Sequence, residues 1–534
     1  MRSSFHGGGG ARPVGRPRDH GRRSVGARPR PPARRWQYCA HHARGLARIT
    51  HRCHAGPSKA RAGERPGDRA GEPGDRGSRE KRREGRRKRG GPLLSHNPPA
   101  WPADCAWLVL ADDLSGAAEC AAVLPRCRRI LLDARAVALP GETSVIDLDS
   151  RRRTAAAAAR LVGDAVRRHA PSGNRLFKKS DSLLRGRFAA ETAAFAAGAA
   201  GLVVAPAVPA AGRTVRDGVV HLDGVPLHRT DAWRAEAGPV PRSVAGALGG
   251  ARATVVPLDR IRAGAASLGR RLRALLADGT IAVCDAETDA DLDAVAGAAL
   301  RLPGTVRLAG AGGLAAALGR LSGPPGPRTG AAGPGGGPAE PRPIVVVVGT
   351  AHPAATAQIA HLTLHGARHV PVSAAALLDD TDPATAPKAA APCADRSDRP
   401  GPGPVRPAPC PGRAPVTVLS IGSAARVEPA VAPRLARSLA RVVAATSPQG
   451  ADLVLTGGET ARCVLDTLRV TALLPVAQVH HGAVHCRTDD GRGVVTRPGG
   501  FGGPDSLLRM VHALRAAHGR PVPGPPPAAD QGAP

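Results

Sequence analysis

Four segments of this 534-residue chain pair chemically useful residue types with spacings that a sheet edge could hold together. Residues 110–117 (LADDLSGA) place two adjacent acids, Asp112 and Asp113, between an apolar run and an Ala-rich one. One acid there can cap a helix; a second allows a general base or a metal ligand. Residues 178–186 (KKSDSLLRG) gather Lys178, Lys179, Asp181 and Arg185, a set that suits an anionic substrate. Arg185 can grip a carboxylate with two parallel bonds, although a solvated charged loop is the plainer reading. Residues 205–214 (APAVPAAGRT) hold two prolines that stiffen a loop, and Gly212 lets backbone approach a ligand beside Arg213. Residues 453–460 (LVLTGGET) run from a strand into two glycines and a helix, whose first N–H groups can hold phosphate. Residues 496–502 (TRPGGFG) offer a second flexible backbone surface. Each glycine segment alone reads as an ordinary turn. Together the segments give an acid-plus-cation first half and a glycine-backbone second half, the layout of a two-domain small-molecule kinase.

Such segments need a frame that brings strand ends together. From about Asp104 the apolar runs and helical periods alternate as strand and helix. Strands are expected at 107–111, 145–148, 176–179, 202–205, 281–285 and 306–309. Helices are expected at 115–124, 154–169, 188–199 and 289–300, and a loop-rich stretch runs to 230. Residues 104–320 form this first domain, and 321–342 a Gly/Pro linker. The second domain, 343–519, has strands at 344–349, 416–422, 452–456 and 473–479. Its helices are at 354–365, 429–445, 459–470 and 505–518. Residues 1–103 read as a basic disordered leader, 379–414 as a disordered insertion and 520–534 as a polar tail. The expected fold is α/β, with two βα-alternating domains, each with a mainly parallel sheet. Ligands bind such sheets beyond the carboxyl ends of the strands, where all four segments lie.

The net charge of +32 suggests a nucleic-acid partner, but residues 1–100 hold 26 Lys and Arg against 7 Asp and Glu. The excess sits in the leader, and 5 Phe, 4 Trp and 1 Tyr supply few stacking platforms for nucleic acid. No 18-residue apolar run argues for a membrane span. The ten cysteines form no C-x-x-C pair, which counts against zinc ribbons and thioredoxin-like sites and makes a reducing cytoplasm the simplest compartment. Cys120 and Cys463 fall in apolar helical patterns and read as core thiols. No Lys follows a Gly, so there is no P-loop. Residues 310–315 (GAGGLA) fit a weak dinucleotide fingerprint without the acid expected about 20 positions on, leaving a dehydrogenase as an alternative to a tight strand-to-helix turn. His480, His481, His485 and Cys486 resemble a metal cluster, but no second ligand group accompanies them and exposed histidines are the plainer reading.

In their order the four segments resemble the four-carbon acid sugar kinase family over roughly residues 105–520. Its D-D-x-T-G-A motif is similar to Asp112–Ala117 here, and its K-x-D-S-T-L-R-G motif to Lys179–Gly186. Its P-A-x-P-x-x-G-R-x-T pattern appears from Pro206, and a D-G-V-x-x-x-x-G-V-P-L pattern from Asp217. In the second domain G-S, G-G-x-T and K-x-G-x-F-G match Gly349–Thr350, Gly457–Thr460 and Arg497–Gly502. The resemblance implies ATP-dependent phosphorylation of the C4 hydroxyl of threonate, erythronate or a 3-oxo form, with Mg²⁺ accompanying ATP. It implies a sugar-acid site on the first domain and a nucleotide site on the second. Asp113 would be the base or orienting acid, with Asp112 second. Lys179, Asp181, Ser182, Arg185, Gly212 and Arg213 would bind the sugar acid, its carboxylate on Arg185 and Arg213. Thr350, Gly457, Gly458, Glu459, Thr460, Gly499 and Gly500 would line the nucleotide site, with the metal ligands unknown. The partners are then a sugar acid and ATP, and a homo-oligomer is compatible. Ser115, Leu183, Thr350 and Arg497 depart from the family's residues.

Overall fold

The computed structural model describes residues 106–139, 141–170, 173–233, 236, 238–322, 342–350, 353–379, 415–422 and 431–519. The leader, the tail and nearly all of the expected linker and insertion lie outside these residues, and so does the nucleic-acid reading that rests on the leader.

Eleven strands come from the first half. They are β1 (Trp107–Ala111), β2 (Cys127–Leu131), β3 (Thr143–Asp147), β4 (Arg175–Lys179), β5 (Gly201–Ala205), β6 (Arg213–Arg216), β7 (Val219–Leu222), β8 (Val225–Pro226), β9 (Ala253–Val256), β10 (Ile281–Cys284) and β11 (Val306–Gly310). The second half gives β12 (Ile344–Val348), β13 (Arg368–Val372), β14 (Val416–Ile421), β15 (Asp452–Thr456), β16 (Ala472–His480), β17 (Ala483–Arg487) and β18 (Gly493–Arg497). Fifteen form one sheet in the order β13-β14-β12-β15-β18-β17-β16-β2-β3-β1-β4-β11-β5-β10-β9. Pairing is parallel from β2 to β9 and from β13 to β18, and antiparallel across β18, β17, β16 and β2. The two expected sheets are therefore fused edge to edge, through Ala472 opposite Leu131 and Leu473 opposite Ile130. The loop-rich stretch contains a separate antiparallel sheet, β6-β7-β8.

β1, β3, β12 and β15 are buried along their whole length, because helices cover both faces of a parallel sheet. Val, Ile and Leu fill these strands and Ala-rich helices pack on them, which is how a core forms with so few aromatics. Cys120 is buried as expected, and Cys463 is half-buried. In each half the strand order reverses, around β1 between β3 and β4 and around β12 between β14 and β15. Such switch points leave a crevice at the strand ends. The ends of β1 and β4 carry the acid and cation segments, and those of β12, β15 and β18 carry the glycine segments.

Candidate functional site

β1 runs directly into Asp112 and Asp113. The Gly116 N–H donates to Asp113 Oδ1 at 2.9 Å and caps the helix Leu114–Val123. Capping thus uses one oxygen. The other, Oδ2, accepts from Arg151 Nη1 at 2.9 Å, while Arg151 Nε donates to Asp112 Oδ2 at 2.8 Å. Arg151 Nη2 also lies 3.6 Å from Asp181 Oδ1, so one guanidinium joins three carboxylates from two strand ends. Arg151 was not legible as a site residue: it opens a run, Arg151-Arg152-Arg153, that looks like solvated charge. Only Arg151 turns inward, with 21% of its side chain exposed against 48% and 55% for the next two. Burial would raise the Asp112 pKa, but Arg151, Lys178 and Lys179 outweigh it and hold the carboxyl below its usual range. Asp112 Oδ1 is buried without a hydrogen-bond partner among the described residues.

Asp181 receives the backbone N–H groups of Leu183 and Arg185 together with the Arg185 fork, Nε at 2.8 Å and Nη2 at 2.7 Å. Burial opposes its charge, yet Arg185 and Arg151 keep its pKa well below the ordinary value. The fork expected to read the substrate is therefore filled by the chain's own acid. Leu183 is buried in the core where the family carries a threonine. Lys179 Nζ lies 3.5 Å from Glu119. Gly116 makes room for it, since a Cβ there would sit 2.7 Å from the ammonium. The Glu119 carboxylate also occupies the space over Gly312, at the start of the helix Gly312–Leu321. This corrects the dehydrogenase alternative. The glycines of that turn are taken up by packing, Gly312 under the Glu119 side chain and Gly310 and Gly313 against the backbone of Ala205 and Ala207.

Arg213 stands apart. Its Nη1 donates to Ser182 Oγ, its guanidinium carbon lies 5.0 Å from the centre of the Phe501 ring, and its Nε is buried without a hydrogen-bond partner. Among the described residues no carboxylate forms a salt bridge with it, and burial pulls its pKa below the ordinary value against the opposing charge of Asp181. Gly212 has φ +66°, and a Cβ there would overlap the Asp223 side chain, so its freedom serves the turn rather than a ligand's approach.

The second half brings main chain to the same place. Gly457 has φ +86° and turns β15 into the helix Gly458–Thr467. A Cβ on Gly458 would lie 2.6 Å from Asp113 Oδ2 and 3.1 Å from Ser115 Oγ, so this helix start abuts the acid of the first half. Thr460 packs on Gly349, and Thr350 on Gly499. Glu459 instead bridges the halves, 2.8 Å from Arg152, and burial pushes its carboxyl up. Gly500 lies in a cleft of about 480 Å³ with Arg213, Phe501 and Arg509. Arg497 is fully buried, and its Nη1 donates to the carbonyls of Pro498, Gly499 and Phe501. It organises its loop from within, and burial lowers its pKa to about 10. The histidines diverge: His480 meets Ser506 at 2.8 Å, His481 stacks on Phe501, and His485 is buried in β17. No three His, Cys, Asp or Glu side chains gather as a metal site among the described residues.

The arrangement joins carboxylates, a guanidinium without a salt bridge among the described residues and the N–H groups of a helix start at one crevice, which suits transfer of an anionic group to a hydroxyl of an anionic acceptor. Comparison with known proteins agrees. Residues 107–318 match the sugar-binding N-terminal domain family and residues 345–507 the nucleotide-binding C-terminal domain family. A D-threonate kinase of Cupriavidus necator is 36% identical over 428 residues, covering 77% of this chain and 98% of that one. A D-threonate kinase of Bordetella bronchiseptica is 33% identical, covering 76% and 97%. A solved chain from Salmonella typhimurium LT2 shares the fold, with a TM-score of 0.57 at 20% identity over 76% of this chain and 98% of its own. A Haemophilus influenzae protein does so with a TM-score of 0.53 at 18% identity, over 76% and 100%.

Proposed function

Because the chain belongs to the four-carbon acid sugar kinase family, a family of ATP-using kinases that act on sugar acids, we propose that it moves the γ-phosphoryl group of ATP to the C4 hydroxyl of a four-carbon sugar acid. D-Threonate, named for two relatives, is the first substrate to test. The observation that carries the proposal is the meeting of Asp113 with Gly458. An acid of the sugar-binding half touches the helix start at which phosphate would sit in the nucleotide-binding half.

In this reading Asp113 Oδ2 takes the proton of the C4 hydroxyl as its oxygen bonds to the γ-phosphorus, and the bond to the β–γ bridging oxygen breaks to release ADP. Arg213 receives the substrate carboxylate, being the cation of the cluster without a salt bridge among the described residues. Lys179, kept charged by Glu119 and Asp112 against its burial, offsets charge near the transferring group. Arg151 orients both acids. The N–H groups at Gly458–Thr460 cradle phosphate, the Gly457 N–H being held by the Arg497 carbonyl at 2.9 Å. Magnesium would come with the nucleotide, since it keeps waters and phosphate oxygens and takes only one or two carboxylates. Asp112, with its unpartnered Oδ1, fits one of these. The work of such a site is positioning and charge neutralisation.

The test is ADP release over D- and L-threonate, D- and L-erythronate and their 3-oxo forms, with the phosphate position read by NMR. A 4-phosphate from at least one acid is expected. No transfer to any of them, or transfer to another oxygen, would overturn the proposal. Among the described residues no helix is long and apolar enough to cross a membrane. A cytoplasmic location, with sugar acid and ATP as partners, fits this reading.

A further inference from the structure

The ring nearest to Arg213 belongs to the other half of the protein. Phe501 lies in the loop after β18, within the segment that the family resemblance assigns to nucleotide, yet it packs on the cation that faces the sugar acid. Its position is strongly determined. Arg497 donates to its carbonyl from the buried side, and Gln358 Nε2 reaches the carbonyls of Phe501, Gly502 and Gly503 at 3.2, 3.0 and 3.1 Å. Gln358 is itself fully buried and joined to Arg497. Gly482, with φ +76°, leaves space for the ring, since a Cβ there would stand 2.9 Å from Phe501 Cδ1. His481 stacks on the ring at 6.0 Å between centroids and 24° between planes. Two buried polar side chains and a glycine thus hold one aromatic ring against one guanidinium.

Arg213 needs such a support. Its Nη1 is spent on Ser182, its Nε has no hydrogen-bond partner among the described residues, and no carboxylate there neutralises it. A guanidinium left without an acid is attracted to the negative face of a ring and fixed in plane by it. Its remaining donors, Nε among them, are then left for a planar acceptor. Arg185 and Arg151 need no ring, because Asp181, Asp112 and Asp113 fix them.

We propose that Phe501 is a positioning residue for the sugar-acid site: it holds the Arg213 guanidinium in the orientation that receives the substrate carboxylate, so the site is completed across the boundary between the two halves. This rests on the kinase reading above. It adds that a side chain from the nucleotide-binding half sets affinity for the other substrate.

The test is steady-state kinetics of the full-length chain with ATP and D-threonate. Phe501→Leu removes the π face while keeping apolar bulk, and Phe501→Tyr keeps the face. The expected result is a KM for D-threonate raised roughly 2–30-fold in Phe501→Leu, a KM for ATP within about twofold of the unaltered chain, and recovery in Phe501→Tyr. An unchanged KM for D-threonate, or an equal rise in both KM values, overturns the inference. Should Phe501→Leu fail to fold, trifluorophenylalanine at 501 preserves shape and weakens the negative face. It must raise the KM for D-threonate, and no rise overturns the inference equally. A failure of the kinase reading looks different, because the unaltered chain would then phosphorylate none of the four-carbon acids.

Discussion

At the strand ends of the first half, charge is carried by side chains, and most of it is neutralised there. Arg151 joins Asp112, Asp113 and Asp181, Arg185 clasps Asp181, and Lys179 faces Glu119. At the strand ends of the second half the chain places Gly349, Gly457, Gly458 and Gly499, and the groups on offer are the main-chain N–H groups that open the helix Gly458–Thr467, which has no side-chain cap. The difference separates two ways of holding an anion. Paired side chains lock one another in place and leave a single fork, Arg213, without an ion-pair partner among the described residues, the one to which the proposed function gives the substrate carboxylate. A glycine turn at a helix start holds any phosphate that reaches it, because approach of backbone is all that is required. In the function proposed above, selectivity belongs to the first half and generic phosphate binding to the second, with Asp113 at their contact.

The largest effect should come from that contact. Asp113→Asn keeps an oxygen that can accept from Gly116 and so keeps the cap, but it cannot take a proton. Turnover is expected to fall about 10²–10⁴-fold, with a smaller fall in melting temperature than in Asp112→Asn, because Asp113 also loses its ion pair with Arg151 but is the less buried of the two acids. Asp112→Asn should show the reverse emphasis, a lower melting temperature with the smaller loss in turnover, because it unpairs a buried partner of Arg151. If Asp112→Asn alone loses turnover, the two acids exchange roles. Next in size is Gly458→Ala, whose methyl group would be forced to within 2.6 Å of Asp113 Oδ2. Displacing the base by a fraction of an ångström should cost up to about 10² in kcat. A variant with normal kcat would mean that Asp113 and the helix start are not in working contact.

The two arginines sharpen the comparison within the first half. Arg213→Lys should raise the KM for the sugar acid by about tenfold or more, the worth of a charge-assisted bond. Arg185→Lys should leave that KM within about threefold and lower the melting temperature, since its fork serves Asp181. The opposite pattern would return substrate reading to Arg185.

The smallest effect concerns the seam that fuses the halves. Arg462 of the second half donates to Asp147 Oδ2 at 2.9 Å. Burial pushes the Asp147 carboxyl up to about 7, although Arg462 pulls it down. A carboxyl raised above its unfolded value binds its proton more tightly when folded. Its contribution to stability is then complete below about pH 4 and is lost as pH rises through 7. Between about pH 5 and pH 8 the melting temperature should fall further for the unaltered chain than for Asp147→Asn. Parallel slopes would refute this.

What could be read in advance followed local patterning. Apolar runs such as WLVLA and DLVLT gave β1 and β15 to the residue, and the helix expected at 289–300 is found as Asp289–Leu300. β2 was missed because Arg128 and Arg129 face outward and break the apolar run. β9 and the helix Ala265–Ala277, rich in Arg, were missed for lack of a flanking motif. β17 was hidden behind histidines that looked like ligands, and β18 ran into the glycine segment read as flexible backbone. The fusion of two sheets was not legible at all, since only two residue pairs make it and neither side carries a local signal. For the site, the motifs named Asp113, Gly458 and Arg213, but not which cation is satisfied. That depends on partners distant in the chain: 38 residues separate Arg151 from Asp113. For Arg185 the signal was local and passed over: its own neutraliser, Asp181, stands only four residues before it.

A crystal structure of the full-length chain with D-threonate and a non-hydrolysable ATP analogue tests the meeting of the two halves most directly. The expected complex has the substrate carboxylate on Arg213, the C4 hydroxyl within hydrogen-bond distance of Asp113, and the γ-phosphate at the amides of Gly458–Thr460. A sugar acid bound the other way round, with its carboxylate at Asp113's helix start or its C4 hydroxyl turned from Asp113, would contradict it.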